Sequence, residues 1–203
     1  MTKEYKSKDK NIDLTYIPNF LTKENADKLF NLLENNLEYN SDKDSMVFLY
    51  GRFVKIPRKQ VAYGDKNTYY TFSGNKVLAK DWNEKNEICK VLLELKNKIE
   101  EQTNSKFNFV LINKYADGNS YINKHKDDEK QLGDNPVIAG LSLGQERQIV
   151  FTHDNDKDKI NFSTEHGSLY IMKDPTNKFW KHEITKTKSK QKPRISLTFR
   201  FMH

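Results

Sequence analysis

The sequence predicts an α+β chain that is mainly β, a β-sandwich or jelly roll with N-terminal helices buttressing one side. Three observations lead there. Two stretches before residue 105 carry apolar residues at helical spacing, and after Phe107 the period changes to two. The second half of the chain then breaks into short segments at Gly, Asp, Asn and Pro turns, the pattern of many short strands.

The elements follow in chain order. Residues 1–11 are charged and polar and read as a flexible basic N-terminal tail, leaving 12–203 as a single domain. From 22 to about 39, Ala26, Leu29, Phe30, Leu33 and Leu37 recur every three or four residues. Thr22 is placed to cap this helix, because its hydroxyl can accept from a free N–H of the first turn. A second helix is predicted over about 83–102, where Ile88, Val91, Leu92, Leu95 and Ile99 form one stripe. Beyond it Phe107, Phe109, Leu111, Asn113 and Tyr115 alternate with Asn108, Val110, Ile112 and Lys114. Further strands are predicted at 136–143, 147–153, 167–173, 179–185 and 194–202. A jelly roll encloses space, so chemistry is expected from side chains that point inward.

Composition narrows the class. The 203 residues are enough for one domain with a sizeable core. Ten Tyr, twelve Phe and two Trp argue against a disordered chain. No apolar run approaches the roughly 20 residues that cross a bilayer, and the first residues carry no signal-peptide pattern. The single cysteine, Cys89, excludes an intrachain disulfide and suits a reducing compartment. An intracellular protein, nuclear or cytoplasmic and without a membrane partner, is therefore expected, and a monomer suffices. The net charge of +7 favours a polyanionic partner, above all nucleic acid. The cations cluster: Lys186, Lys188, Lys190, Lys192 and Arg194 fall in one stretch, and Pro57-Arg58-Lys59 forms another.

Two motifs carry chemistry. His125 and Asp127 are one residue apart, so on an extended segment both side chains point to one side. With a distant histidine they make a two-histidine, one-carboxylate set, which leaves open positions on ferrous iron. By pattern alone the third member is His153, His166, His182 or His203. His182 is flanked by large apolar residues, and His166 opens a strand. In the last predicted strand Arg194, Ser196, Thr198 and Arg200 share one face, while Ile195, Leu197 and Phe199 share the other. Two arginines and two hydroxyls on an apolar backing predict an anion-binding face, and an arginine fork pairs with a carboxylate in bidentate fashion.

The motifs Asn113-x-Tyr115, His125-x-Asp127-Asp128-Glu129, His182 and Arg194-x-Ser196-x-Thr198-x-Arg200 together resemble those of the AlkB dioxygenases. The segments Pro57-Arg58-Lys59-Gln60-Val61-Ala62-Tyr63-Gly64-Asp65, Tyr70-Thr71-Phe72-Ser73-Gly74 and Phe107 to Asn113 are similar to the eukaryotic DNA-repair branch of that family. The resemblance runs from about residue 15 to 200. It implies the double-stranded β-helix form of the jelly roll, and an Fe(II)- and 2-oxoglutarate-dependent enzyme that uses O2, with ascorbate assisting. The implied reaction is oxidative demethylation of N-alkylated bases in DNA, such as 1-methyladenine and 3-methylcytosine.

The same resemblance implies roles residue by residue. His125, Asp127 and His182 would hold iron. Asn113, Tyr115, Arg194, Ser196, Thr198 and Arg200 would hold 2-oxoglutarate, with Ser196 standing where the family usually has Asn. Tyr70, Thr71 and Phe72 would wall the base pocket, and Asp128 would accept from the exocyclic amine. Tyr50 would be the wedge that fills the gap left by a flipped base, where the duplex-repairing member has Phe. Arg52, Arg58, Lys59 and the lysines of 186–192 would meet phosphates. The competing readings are an iron/2-oxoglutarate enzyme acting on RNA or protein, a catalytically silent nucleic-acid-binding module on the same fold, and a cupin-like metal protein with no need of the arginine pair.

Overall fold

The structure is a computed structural model. It describes residues 1–203 apart from 43, 44, 50, 73, 74, 128 and 156, and apart from the side chains of 49, 72 and 75. The first part of the chain forms β1 (Lys3–Ser7), β2 (Ile12–Ile17) and α1 (Lys23–Asn36). Six short strands follow: β3 (Met46–Leu49), β4 (Arg52–Lys55), β5 (Lys59–Gly64), β6 (Tyr69–Phe72), β7 (Asn75–Leu78) and β8 (Lys80–Asp81). After α2 (Glu87–Thr103) come β9 (Phe109–Tyr115), β10 (Ile122–His125), β11 (Ile138–Gly144), β12 (Arg147–His153) and β13 (Lys159–Thr164). The chain closes with β14 (Ser168–Lys173), the single-turn α3 (Thr176–Phe179), β15 (Trp180–Ile184) and β16 (Arg194–Arg200).

Both helices lie where the periodicity puts them, and their caps show why they begin there. Thr22 accepts from the Asn25 N–H and Asn86 accepts from the Cys89 N–H, each satisfying a donor that the helix itself cannot. The predicted strands from 136 onward appear within a residue or two of their expected bounds. Residues 1–11 differ from expectation. Lys3–Ser7 forms β1, paired antiparallel with β2 from Lys3↔Tyr16 to Ser7↔Ile12. The charges that suggested a free tail suit an edge strand, whose outer side faces water, and the Tyr5 ring stacks on Phe162 at 6.0 Å.

The large sheet has the order β1-β2-β14-β11-β16-β9-β5-β8, and a smaller one runs β10-β15-β12-β13. Period-two alternation divides the residues of the large sheet between two cores. On one face Val61, Val110, Ile112, Leu141, Leu169, Ile195, Leu197 and Phe199 pack with Leu29 and Leu33 of α1 and Leu92, Leu95 and Ile99 of α2. On the other, Leu14, Phe109, Leu111, Tyr170 and Met172 meet Ile149, Phe151, Phe162, Trp180 and Ile184 of the small sheet. The molecule is thus layered as helices, large sheet and small sheet, and the open end of the space between the sheets is the place for a site. Among the described residues no helix is long and apolar enough to cross a membrane.

One glycine is required by this packing. A Cβ on Gly140 of β11 would lie 2.1 Å from the Tyr170 ring, so only glycine lets that ring lie flat across β11 toward the cavity.

Candidate active site

A cavity of about 680 Å³ opens between the two sheets, within the ordinary range for small-molecule pockets. The small sheet brings the histidines together. His125 ends β10 directly opposite His182 of β15, and Phe151 of β12 lies opposite His182 on its other side. The two imidazoles are 4.2 Å apart, and the Phe151 ring stacks on His182 at 5.5 Å. Candidate donor atoms of His125, Asp127 and His182 all lie within 4.8 Å of one another. His153, His166 and His203 are elsewhere. His166 accepts from the Gly144 N–H and pairs with Asp27, His153 sits against Phe179 and Trp180, and His203 packs over Gly133.

Each member of the trio is oriented. His125 Nδ1 lies 2.9 Å from the Asn123 carbonyl, which can only accept, so that nitrogen carries the hydrogen and Nε2 presents its lone pair. That Nε2 is 3.6 Å from Asp127 Oδ1. The Asp127 peptide is gripped at both ends by the Asn177 amide, which accepts from its N–H at 3.1 Å and donates to its carbonyl. Asn177 belongs to α3, and α3 is tied to β2 through Thr176, whose hydroxyl meets both the N–H and the carbonyl of Asp13.

Electrostatics set the protonation states. Burial alone would raise the Asp127 carboxyl, but the Arg200 guanidinium beside it outweighs that and holds it below its ordinary value. Arg200 Nη2 is 2.8 Å from Asp127 Oδ1, and its Nη1 is 3.0 Å from Glu129 Oε1. Burial, together with the neighbouring His125, pushes His182 down to about 3, so it is a neutral imidazole with a lone pair available. Burial pushes Glu129 above its ordinary value, against the pull of Arg200 and with the push of Asp127.

In the same cavity the alternation of β16 has the predicted result. Arg194, Ser196, Thr198 and Arg200 all line it, together with Asn113 and Tyr115 of β9. Arg194 is only 2% exposed. Its Nε donates to Ser142 Oγ at 2.9 Å and Thr164 Oγ1 at 3.1 Å, its guanidinium lies 5.1 Å from the Tyr115 ring centroid, and its Nη1 is buried with no partner among the described residues. Those partners are hydroxyls and a ring, none of them an anion. A buried cation left in this state is matched by an anionic ligand.

The remaining sequence candidates divide. Arg58, Tyr70 and Thr71 line the same cavity, with Arg58 Nε donating to Asn113 Oδ1 at 3.0 Å. Arg52 is exposed on the β3–β4 hairpin and does not line it. Lys186, Lys188, Lys190 and Lys192 are exposed on the loop joining β15 to β16. Tyr50, Asp128 and the Phe72 side chain lie outside the described residues. Two residues at the site were given no role by the sequence reading. Glu129 is two residues past Asp127 and faces the cavity with Oε2 unpartnered among the described residues, and its i+2 spacing was the available signal. Asn177 acts through the fold, and nothing in its local sequence marks it.

These residues form a trio that could hold a metal ion beside a buried cationic face, and comparison with known proteins points the same way. Residues 13–200 match the family model of the 2OG-Fe(II) oxygenase superfamily. The chain is 37% identical over 186 residues to the DNA oxidative demethylase ALKBH2 of Mus musculus, covering 88% of this chain and 75% of that protein. The human protein of that name is equally similar, with 69% of its length covered. The alpha-ketoglutarate-dependent dioxygenase alkB homolog 3 of Bos taurus is 38% identical over 122 residues, 56% of this chain and 43% of that one.

The chain belongs to the AlkB family of the 2OG-Fe(II) oxygenases.

As an AlkB-family dioxygenase it uses Fe(II), 2-oxoglutarate and O2. Its fold is also that of more distant oxygenases. The structure of OsALKBH1 superposes with a TM-score of 0.59 at 15% identity, covering 92% of this chain and 97% of that one. A prolyl hydroxylase from Trichoplax adhaerens superposes with 0.61 at 12%, covering 93% and 83%. At these identities the likeness speaks for the double-stranded β-helix alone.

The residues also fit the groups the family implies. Two imidazoles and one carboxylate are a donor set for ferrous iron. Among the described residues, Asp127 Oδ2 and His182 Nδ1 are buried without partners, as is Arg194 Nη1 on the cationic face.

Proposed function

We propose that this protein oxidatively demethylates N-alkylated bases in DNA, such as 1-methyladenine and 3-methylcytosine, as alkylation-damage repair. The observation that carries the co-substrate assignment is Arg194, a buried cation whose Nη1 has no partner among the described residues, lining the same cavity as the His-Asp-His trio. The substrate assignment rests on the likeness to the DNA oxidative demethylases over 88% of the chain, and on the +7 charge. Residues 12–203 act as one catalytic domain, working as a monomer inside the cell.

Each residue then has a task. His125, Asp127 and His182 hold iron(II), and Arg200 keeps Asp127 ionised. Arg194 donates from Nη1 to the distal carboxylate of 2-oxoglutarate, while Asn113, Tyr115, Ser196 and Thr198 supply the remaining hydrogen bonds of its chamber. When bound, iron with 2-oxoglutarate and oxygen supplies the oxidation that hydroxylates the N-methyl group, with succinate, carbon dioxide and formaldehyde as by-products. The protein's share is orientation. A methylated ring nitrogen is out of reach inside a duplex, so the base must be flipped or already single-stranded. Tyr70, Thr71 and Phe72 hold the base, and Asp128, together with Glu129 Oε2, accepts from its exocyclic amine. Tyr50 wedges the vacated stack. Arg52, Arg58, Lys59 and the lysines of the β15–β16 loop neutralise phosphates.

The test uses oligonucleotides carrying 1-methyladenine or 3-methylcytosine, single-stranded and duplex, with iron(II), ascorbate and 2-oxoglutarate. Restored base and released formaldehyde are expected from the protein and not from Asp127→Ala. Succinate release without base repair, from a folded, iron-loaded chain, would move the substrate to RNA or protein.

A further inference from the structure

The β3–β4 hairpin carries two aromatic rings that the proposed chemistry does not use. The hairpin is a two-stranded sheet of its own, pairing Val47 with Val54 and Phe48 with Phe53. Val47 is buried and, with Val54, lines the cavity. Alternation sends Phe48 and Phe53 to the opposite face, where they are 56% and 69% exposed. Their rings meet edge to face, with centroids 5.1 Å apart. Neither ring belongs to a core cluster.

Adjacent aromatics left in water beside a binding cavity mark a contact surface. The chemistry around them selects the occupant. Arg52, exposed, directly precedes Phe53, Lys55 follows two residues later at the cavity rim, and Arg58 and Lys59 lie just beyond. Ring faces flanked by cations match a nucleic-acid strand, whose bases stack and whose phosphates need neutralising.

We propose that Phe48 and Phe53 form a stacking platform for an unpaired base flanking the one held in the cavity, so that the hairpin grips its substrate on both faces. This rests on the nucleic-acid reading above and adds to it a preference for substrates with flanking nucleotides over free nucleosides. The platform is separate from the base pocket.

The experiment measures binding of a fluorescein-labelled single-stranded oligonucleotide with a central 1-methyladenine to the iron- and 2-oxoglutarate-loaded protein, kept anaerobic so that no turnover occurs. Single abasic substitutions are placed one to three nucleotides to either side. The variants are Phe48→Ala/Phe53→Ala and Phe48→Leu/Phe53→Leu. Both are expected to bind about tenfold more weakly, the scale of one lost base–aromatic stack. One abasic position should weaken the wild type by a similar factor and leave the variants unmoved. Succinate release driven by free 1-methyladenosine should be the same in all three proteins.

Wild-type affinity in both variants would overturn the platform. So would wild-type affinity in the leucine variant alone, which would mean apolar contact rather than stacking. A wild-type dimer in sedimentation that both variants dissolve would assign the rings to a second copy of the chain. If the wild type neither binds nor repairs the oligonucleotide, the nucleic-acid reading fails and takes the platform with it, whereas repair by the wild type with unaltered variants sinks the platform alone.

Discussion

Arg147 and Arg194 are buried almost equally, at 5% and 2% exposed, yet they are treated in opposite ways. Arg147 opens β12 and donates to three backbone carbonyls, those of Asp117, Ser120 and Thr185, at 2.7 to 3.1 Å. It ties the loop before β10 to the end of β15 and is complete within the fold. Arg194 opens β16, is held at Nε by two hydroxyls and keeps Nη1 unpaired. Burial depresses both guanidinium pKa values. The lesson is that a buried charge alone says nothing about function. What distinguishes the site is a buried charge whose partners stop short of satisfying it.

Four predictions test that contrast, from the largest effect down. Arg194→Met should raise the KM for 2-oxoglutarate by at least about a hundredfold, the scale of a lost charge-assisted pair, while leaving the melting temperature nearly unchanged. Succinate formation and thermal denaturation on one sample read both, and an unaltered KM would refute the assignment. Arg147→Met should do the reverse. Stranding three carbonyls should cost roughly 3 kcal/mol of stability, visible in urea unfolding, with the KM for 2-oxoglutarate kept in whatever fraction remains folded.

Third in size is Asn177→Ala. Freeing the Asp127 peptide should weaken metal binding about 10- to 100-fold without removing any ligand, measured by titrating the apo-protein with manganese(II). The fourth concerns pH, where neither arginine titrates but His182 does. Its folded pKa of about 3 lies below the ordinary value of 6.5. On acidification the unfolded chain therefore takes a proton that the fold refuses. His182 costs nothing above pH 6.5 and progressively more as pH falls toward 3, about 2 kcal/mol at pH 5. The chelated apo-protein should accordingly melt lower at pH 5 than at pH 7.5, and His182→Asn should flatten that slope.

How much of this was legible in the sequence depends on the range of the interaction. The helices were, because stripe and cap are local: Thr22, Leu29 and Leu33 announce α1 by themselves. So was the division of β16 into Arg194-Ser196-Thr198-Arg200 and Ile195-Leu197-Phe199, because a strand buried on both faces still alternates in kind. The six strands between α1 and α2 were not, since β5 has its place only through β9, from Lys59↔Lys114 to Gly64↔Phe109. Pairings over some 50 residues leave little local trace. The His125-x-Asp127 pair could be read from spacing, but the choice of His182 over His166 required the family resemblance, and the geometry agrees because β10 and β15 are neighbours. Asn177 stayed invisible for the same reason as β5: its partner is 50 residues away.

The ion pair at the mouth of the site has a consequence for the order in which the site fills. On the proposed assignment, the two carboxylates Asp127 and Glu129 are offset by Arg200 and Arg194, so these four groups sum to zero. A divalent cation alone would add two positive charges to that balanced set, and a dicarboxylate alone would add two negative ones. Together they restore neutrality. Metal and co-substrate should therefore each raise the other's affinity, and a cell short of either would hold this enzyme mostly empty of both.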